Sequence, residues 1–161
     1  MKNKMTEKLF ELAYTDSMTE VQNRNAYEER LKKLRKPNAN ISHITVIVVD
    51  VNGLKEINDS YGHFCGDDAI KTVAKALRDT IGLKADIYRI GGDEFVCISE
   101  SNVLPYISQF KDTVYFINNE KLYNLSVSIG YSRFHEKYSK SIDDIICRAD
   151  EKMYKDKKSK K

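Results

Sequence analysis

Apolar positions along the chain repeat with two periods, and the switches between them predict the order of elements. Leu9, Leu12 and Ala13 sit at helical spacing, and Tyr27, Leu31 and Leu34 follow at i, i+4 and i+7 until Pro37, which predicts two opening helices with Asp16 as the cap between them. Residues 44–49 form a β-branched string in which only Thr45 is polar, the pattern of a central strand covered on both faces, and it ends at Asp50. Leu54, Ile57 and Tyr61 suit a short helix closed by Gly62, and Asp67 is placed to cap the next one, whose stripe is Ile70, Val73, Ala74, Leu77 and Ile81. Residues 87–90 and 95–98 read as the arms of a hairpin. Ser101 is the expected start of a helix that tolerates Pro105 in its first turns and carries Leu104, Ile107, Phe110 and Val114. Residues 125–131 read as another strand, and Ile142, Ile145, Ile146, Ala149 and Met153 mark a closing helix.

After the opening helices the order is strand, two helices, two hairpin strands, helix, strand, helix. That order predicts an α/β (α+β) fold close to the ferredoxin-like type, a central mixed sheet with an antiparallel hairpin, surrounded by helices. A length of 161 residues fits one domain with a core of its own.

Composition narrows the function classes. Of the residues, 41% are hydrophobic and 32% charged, a globular and not a disordered profile. The formal charge is +3, much of it from Lys155, Lys157, Lys158, Lys160 and Lys161 at the end, so the body is close to neutral. A terminal lysine run without interleaved aromatics reads as a solvated tail, and no DNA or RNA partner is expected. Cys65, Cys97 and Cys147 have neither a framework nor a zinc spacing, which fits a reducing, cytoplasmic setting. No segment has the apolar run of a secretory signal or of a membrane span, so this segment is expected to make no membrane contact.

The candidate chemistry lies in two places. Gly91-Gly92-Asp93-Glu94 puts adjacent like charges at a hairpin tip. An ordinary acidic turn, with the glycines supplying positive φ, accounts for that much. If the hairpin lies beside the strand that ends at Asp50, however, three carboxylates converge on one sheet edge, and their repulsion calls for a hard divalent cation with oxygen ligands. Magnesium completing its shell with substrate phosphates makes phosphoryl chemistry the leading expectation. The chain has no GxxxxGK[ST] and no GxGxxG after a strand. Residues 50–67 stand in their place, with backbone N–H groups around Asn52, Gly53 and Leu54 expected to face an anion at a helix start.

Gly-Gly-Asp-Glu-Phe at 91–95, Asn-Asp-Ser-Tyr-Gly-His followed by Gly-Asp at 58–67, and Asp-Ser-Met-Thr-Glu-Val-Gln-Asn-Arg at 16–24 together resemble the GGDEF family of diguanylate cyclases. Ser128-Ile129-Gly130 and Ala149-Asp150 with Tyr154 and Lys157 extend the resemblance over nearly the whole chain. It implies a palm-like nucleotidyl-cyclase fold and the condensation of two GTP into cyclic di-GMP with release of pyrophosphate. It implies two Mg2+ per site, with Mn2+ as the alternative, held by Asp50, the carbonyl of Val51, Asp93 and Glu94. Asp93 and Glu94 then also stand at the reacting hydroxyl, and Lys55 as the positive charge for the transition state. An exposed helix lysine is the plain alternative for Lys55. Asn58 and Asp67 match the guanine readers, and a carboxylate can accept guanine's paired N1–H and N2 amino donors. His63, Gly53, Leu54, Gly91 and Gly92 fall on the substrate side. Lys157 and Lys161 match the phosphate-reaching residues of the last helix.

The resemblance further implies residues 1–15 as a connecting helix, 16–157 as the catalytic domain and 158–161 as a basic tail. It implies a transient homodimer, because one GTP per domain cannot close a two-nucleotide ring, and a sensor domain upstream in the parent protein. Departures are Glu20 where Gly is usual, Asn52-Gly53-Leu54 where an aromatic is common, Asp156 for a small residue, and Lys161 for arginine. Gly82 and Ala85 replace the RxxD positions of product feedback, so no tight cyclic di-GMP feedback is expected there. An inactive GTP-binding sensor or interaction module is the alternative, and the presence of all five acid and guanine-reading positions favours the enzyme.

Overall fold

The computed structural model describes residues 2–160. The elements run α1 (Lys2–Tyr14), α2 (Arg24–Leu34), β1 (Thr45–Val51), α3 (Leu54–Tyr61), α4 (His63–Asp79), β2 (Asp86–Arg89), β3 (Glu94–Ser99), α5 (Leu104–Asn118), β4 (Val127–Arg133) and α6 (Ile142–Ser159). The sequence-predicted order is therefore the observed one, with several boundaries moved.

The strands form one sheet in the order β2-β3-β1-β4. Expected to be mixed, it is antiparallel in all three strand pairings, and among the described residues its one parallel contact is the isolated bridge Gln22–Tyr88. The reason is topological. Each strand–helix–strand crossover leaves room for another strand between the two it connects, so parallel strands never become neighbours.

Both faces of the sheet are covered. Ile47, Val49, Val51, Phe95 and Cys97 pack with Ile70, Val73, Leu77 and Phe110 of α4 and α5. Val46, Val48, Val96 and Ile98 pack with Tyr27 and Leu31 of α2 and with Ile145, Ala149 and Met153 of α6. This two-sided burial is what the unbroken β-branched run of β1 requires. Residue parity then puts Asp50 on the α2–α6 face.

Local chemistry explains the shifted boundaries. Asp16 does not cap α2; Asn23 does, accepting the N–H of Ala26 at 3.1 Å. Asp16 instead accepts from the Thr19 N–H and hydroxyl, at 3.0 and 2.6 Å, in the preceding loop. Asp67 does not cap α4, which already begins at His63 after Gly62 (φ 86°). Helix α5 starts at Leu104, so Pro105 falls in its first turn, where a missing N–H costs nothing. β4 starts at Val127, and β1 continues through Asp50 to Val51. Glu20, the departure from Gly, adopts φ 61°.

α6 lies so close to β4 that a Cβ on Gly130 would come within 2.0 Å of the Ala149 carbonyl oxygen. Its side chains and that of Lys160, just past its end, also satisfy the outer edge of that strand. Asp156 accepts the Ile129 N–H at 2.8 Å, and Lys160 and Lys152 donate to the carbonyls of Val127 and Tyr131 at 2.7 and 3.0 Å. The lysine-rich end is thus helical through Ser159 and partly engaged with the sheet, where a solvated tail was expected. Among the described residues no helix is long and apolar enough to cross a membrane, and all three cysteines are free thiols.

Candidate active site

Strand register builds the acid end of the site. Asp50 is paired across β3 with Glu94 and across β4 with Ser128. The signature bend is held to β1 by the Val51 N–H on the Asp93 carbonyl, 2.9 Å, and closed by the Ile90 N–H on the Glu94 carbonyl, 3.0 Å. Asp50 is only 4% exposed, and Lys157 of α6 donates to its Oδ1 at 2.7 Å. Burial pushes the Asp50 carboxyl above its ordinary range, Lys157 draws it partly back, and Asp93 adds to the rise. Burial also raises the Glu94 carboxyl, helped by the charges of Asp93, Asp50 and Asp150. The Lys157 ammonium is held above its ordinary range, chiefly by its bond to Asp50.

Two recesses flank this point. A cleft of about 610 Å³ is lined by Val51, Gly53, Leu54, Lys55, Asp93 and Lys157 among others. A smaller one of about 430 Å³ is lined by Asp50, Glu94, Asp150, Tyr154, Lys157 and Lys158 with Met153. Gly53, at φ 65°, turns the chain from β1 into α3, a conformation that side-chain-bearing residues adopt at a cost. Lys55 is exposed in the first turn of α3 and faces the cleft.

Three expectations need correction here. The Asn52 N–H does not face an anion, because it donates to the Ser126 carbonyl at 2.9 Å. Gly91 and Gly92 do not have positive φ. Gly91 lies close to the signature acid, since a Cβ there would come 3.0 Å from Glu94 Oε2, the movable end of that side chain. Finally, the three carboxylates do not form a ready cage: among the described residues no group of three His, Cys, Asp or Glu side chains is placed to hold a metal ion. A bonded lysine stands at Asp50, and a cation there would have to draw part of its shell from substrate oxygens.

The remaining expected residues sit elsewhere. Asn58, half-buried at the end of α3, packs on Gly66 of α4 so closely that a Cβ on Gly66 would meet its Oδ1 at 1.9 Å. Asp67, next in the chain, and His63 are exposed on α4. None of these three lines either recess, so the structure gathers Asp50, Val51, Gly53, Leu54, Lys55, Asp93, Glu94 and Lys157 and leaves Asn58, His63 and Asp67 at the α3–α4 junction. Lys161 lies outside the described residues.

Several supporting residues went unread in the sequence. Arg89 Nη2 donates to the Gly92 carbonyl at 2.8 Å, and Nη1 reaches Asp16 Oδ2 at 3.2 Å, tying the signature bend to the loop before α2. Burial tends to raise the Asp16 carboxyl, but the bonds from Thr19 and Arg89 outweigh it and hold the group below its ordinary range. Arg24 adds a bond to the Ile90 carbonyl at 3.4 Å. On the cleft floor, Ser128 Oγ donates to Asn52 Oδ1 at 2.7 Å and Asn52 Nδ2 to Ser126 Oγ at 3.1 Å. The visible signal for Arg89 was a charged residue directly before an acidic bend.

Comparison with known proteins gives the same picture. The family model for the diguanylate cyclase GGDEF domain matches residues 13–161. Probable diguanylate cyclase DgcI of Escherichia coli K12 is 33% identical over 153 residues, 94% of this chain and 33% of its own length. A diguanylate cyclase of Vibrio cholerae serotype O1 is 31% identical over 170 residues, 96% of this chain and 50% of its own length. This chain thus spans a third to a half of those relatives. The solved coiled coil and GGDEF domain of DgcB from Caulobacter crescentus, in complex with c-di-GMP, superposes with a TM-score of 0.80 at 22% identity, covering 98% of this chain and 87% of that one, and supports the fold. With the signature bend, the register that sets it against β1 and the family match in agreement, the chain belongs to the diguanylate cyclase GGDEF-domain family.

Proposed function

We propose that the chain is a diguanylate cyclase that condenses two GTP into cyclic di-GMP with release of two pyrophosphates. The observation that carries this reading is the register pairing of buried Asp50 with Glu94, beside Asp93 and a cleft edged by Lys55 and Lys157. The donor chemistry suits a hard divalent cation: register sets the Asp50 and Glu94 carboxylates opposite each other with Asp93 beside them, and with Lys157 on Asp50 an ion would complete its shell with substrate oxygens. Asp50, the Val51 carbonyl, Asp93 and Glu94 would hold magnesium or manganese. When bound, such ions supply Lewis acidity at the attacking and leaving oxygens.

The protein's own groups do the rest. Lys55 and Lys157 place positive charge along the triphosphate, where the phosphoryl oxygens gain negative charge. Asp93 accepts the proton of the 3′-hydroxyl, whose oxygen bonds to the α-phosphorus of the other GTP as the bond to pyrophosphate breaks. Asn58 and Asp67 read the guanine edge from the α3–α4 junction, with His63 beside them. Residues 16–157 form the catalytic domain, and residues 1–15 connect it to whatever precedes it. Each site supplies one nucleotide, so two copies must face each other. The apolar face of α1, where Met5, Leu9, Phe10 and Leu12 are exposed, suits pairing with a second copy.

The test is incubation with Mg2+ and GTP, ATP or both, with products resolved by chromatography over a range of protein concentrations. Cyclic di-GMP from GTP alone, at a rate per protein that climbs with concentration, is the expected result. Unchanged GTP at every concentration contradicts it.

A further inference from the structure

Lys157 is shared by both recesses at the acid end, and it is the cation bonded to the buried Asp50. Its side chain is 33% exposed against 5% for Asp50, so the carboxylate is fixed in the sheet while the ammonium sits on a solvent-reachable stem. The backbone that carries it is anchored by Asp156 on the Ile129 N–H and by Lys160 on the Val127 carbonyl, at 2.8 and 2.7 Å. Movement of the ammonium is therefore a side-chain event, and the four-carbon stem allows it. We propose that Lys157 is a place-holding cation: in the nucleotide-free protein it occupies the Asp50 carboxylate, and it crosses to the triphosphate when metal and GTP arrive together.

The inference deepens the proposed function and rests on it. Asp50 buried without a cation would be costly, which gives Lys157 a reason to be there in the empty site. A divalent ion at the same oxygen must displace the ammonium, because two cations side by side on one carboxylate repel. Displacement is unfavourable unless the ammonium finds another anion, and the cleft that Lys157 also lines is where the triphosphate would lie. Metal loading and nucleotide binding are thereby coupled, and the site resists free metal alone.

The test is Mn2+ affinity of the whole chain, measured by paramagnetic resonance of free Mn2+, without nucleotide and with a GTP analogue bridged by carbon between its α- and β-phosphates. Lys157→Met is compared with Lys158→Met. Lys158 lines the smaller recess but lies over the Tyr154 ring, 4.5 Å from its centre, so its loss removes the same charge without vacating Asp50. Nucleotide-free Mn2+ affinity is expected to rise about tenfold in Lys157→Met and by no more than about twofold in Lys158→Met, within the usual range of coupling between sites. If Lys157→Met does not fold, Lys157→Gln, which keeps a donor for Asp50, carries the same comparison with a smaller rise. Equal rises at 157 and 158, or no rise at 157 while the parent chain still loads Mn2+ with the analogue, overturn the inference. A parent chain that takes up no Mn2+ even with the analogue overturns the metal-site reading itself, and this inference with it.

Discussion

At the acid end, Asp50 is 4% exposed, paired in register with Glu94 and bonded to Lys157, whereas at the α3–α4 junction Asp67 and His63 are exposed and Asn58 rests on the bare backbone of Gly66. The sheet sets the first before any ligand arrives, since ladder hydrogen bonds fix where those carboxylates stand. Helix packing sets the second, where His63 and Asp67 stand exposed. Chemistry that depends on charge close to the reacting atoms suits the rigid end. The proposed reading leaves recognition of a base edge to the looser one.

Substitutions can separate the two ends. The largest effect is expected for Asp50→Asn, which removes charge from the rigid end; GTP turnover should fall about a thousandfold, the scale seen when a positioned electrostatic group is lost. At the junction, Asp67→Ala should leave thermal stability within about 0.5 kcal/mol, because the residue is exposed, yet cut discrimination between GTP and ATP by about a hundredfold in competitive turnover. Gly66→Ala forces Asn58 aside and should cost about 1–3 kcal/mol in urea unfolding while weakening GTP binding more than turnover. Glu94→Gln relieves like charges facing each other across the β1–β3 pair, and should stabilise the metal-free chain by up to about 1 kcal/mol even as it lowers turnover.

Acid unfolding sharpens the contrast through its sign. Asp16 and Asp156 are held below the ordinary carboxyl range, Asp156 because the bonds from Lys160 and the Ile129 N–H outweigh its burial. They contribute stability at neutral pH that is lost as pH drops below about 4 toward their folded values. Asp50 and Glu94 are raised, so their ionised forms cost stability, and protonation relieves that cost. Asp156→Asn should therefore flatten the loss of stability in acid melts, and Glu94→Gln should flatten the opposing gain.

The sequence was most legible where one rule acted alone. The β-branched run of β1 announced a strand buried on both faces, and the apolar stripe of α4 announced its packing face. Boundaries failed where two residues competed for one role: Asp16 and Asn23 both suit a cap, and only the packed chain shows Asp16 drawn away to Thr19 and Arg89. Positive φ was the expected reason for Gly91, and the folded bend does not use it. Arg89 and Lys157 act through partners 73 and 107 residues away, and such pairings follow from register and helix placement that local patterns do not carry. The lysine-rich end misled for that reason, as Asp156 and Lys160 gain meaning only against the edge of β4.

Most direct for the central claim is Mn2+ uptake in the presence of the non-reacting GTP analogue, compared between the parent chain and Asp50→Asn. The account predicts tight, saturable uptake by the parent and at least a tenfold weaker one by the variant, with both still folded by circular dichroism. Equal uptake by the two would contradict it, since the strand-end acid would then hold no part of the ion.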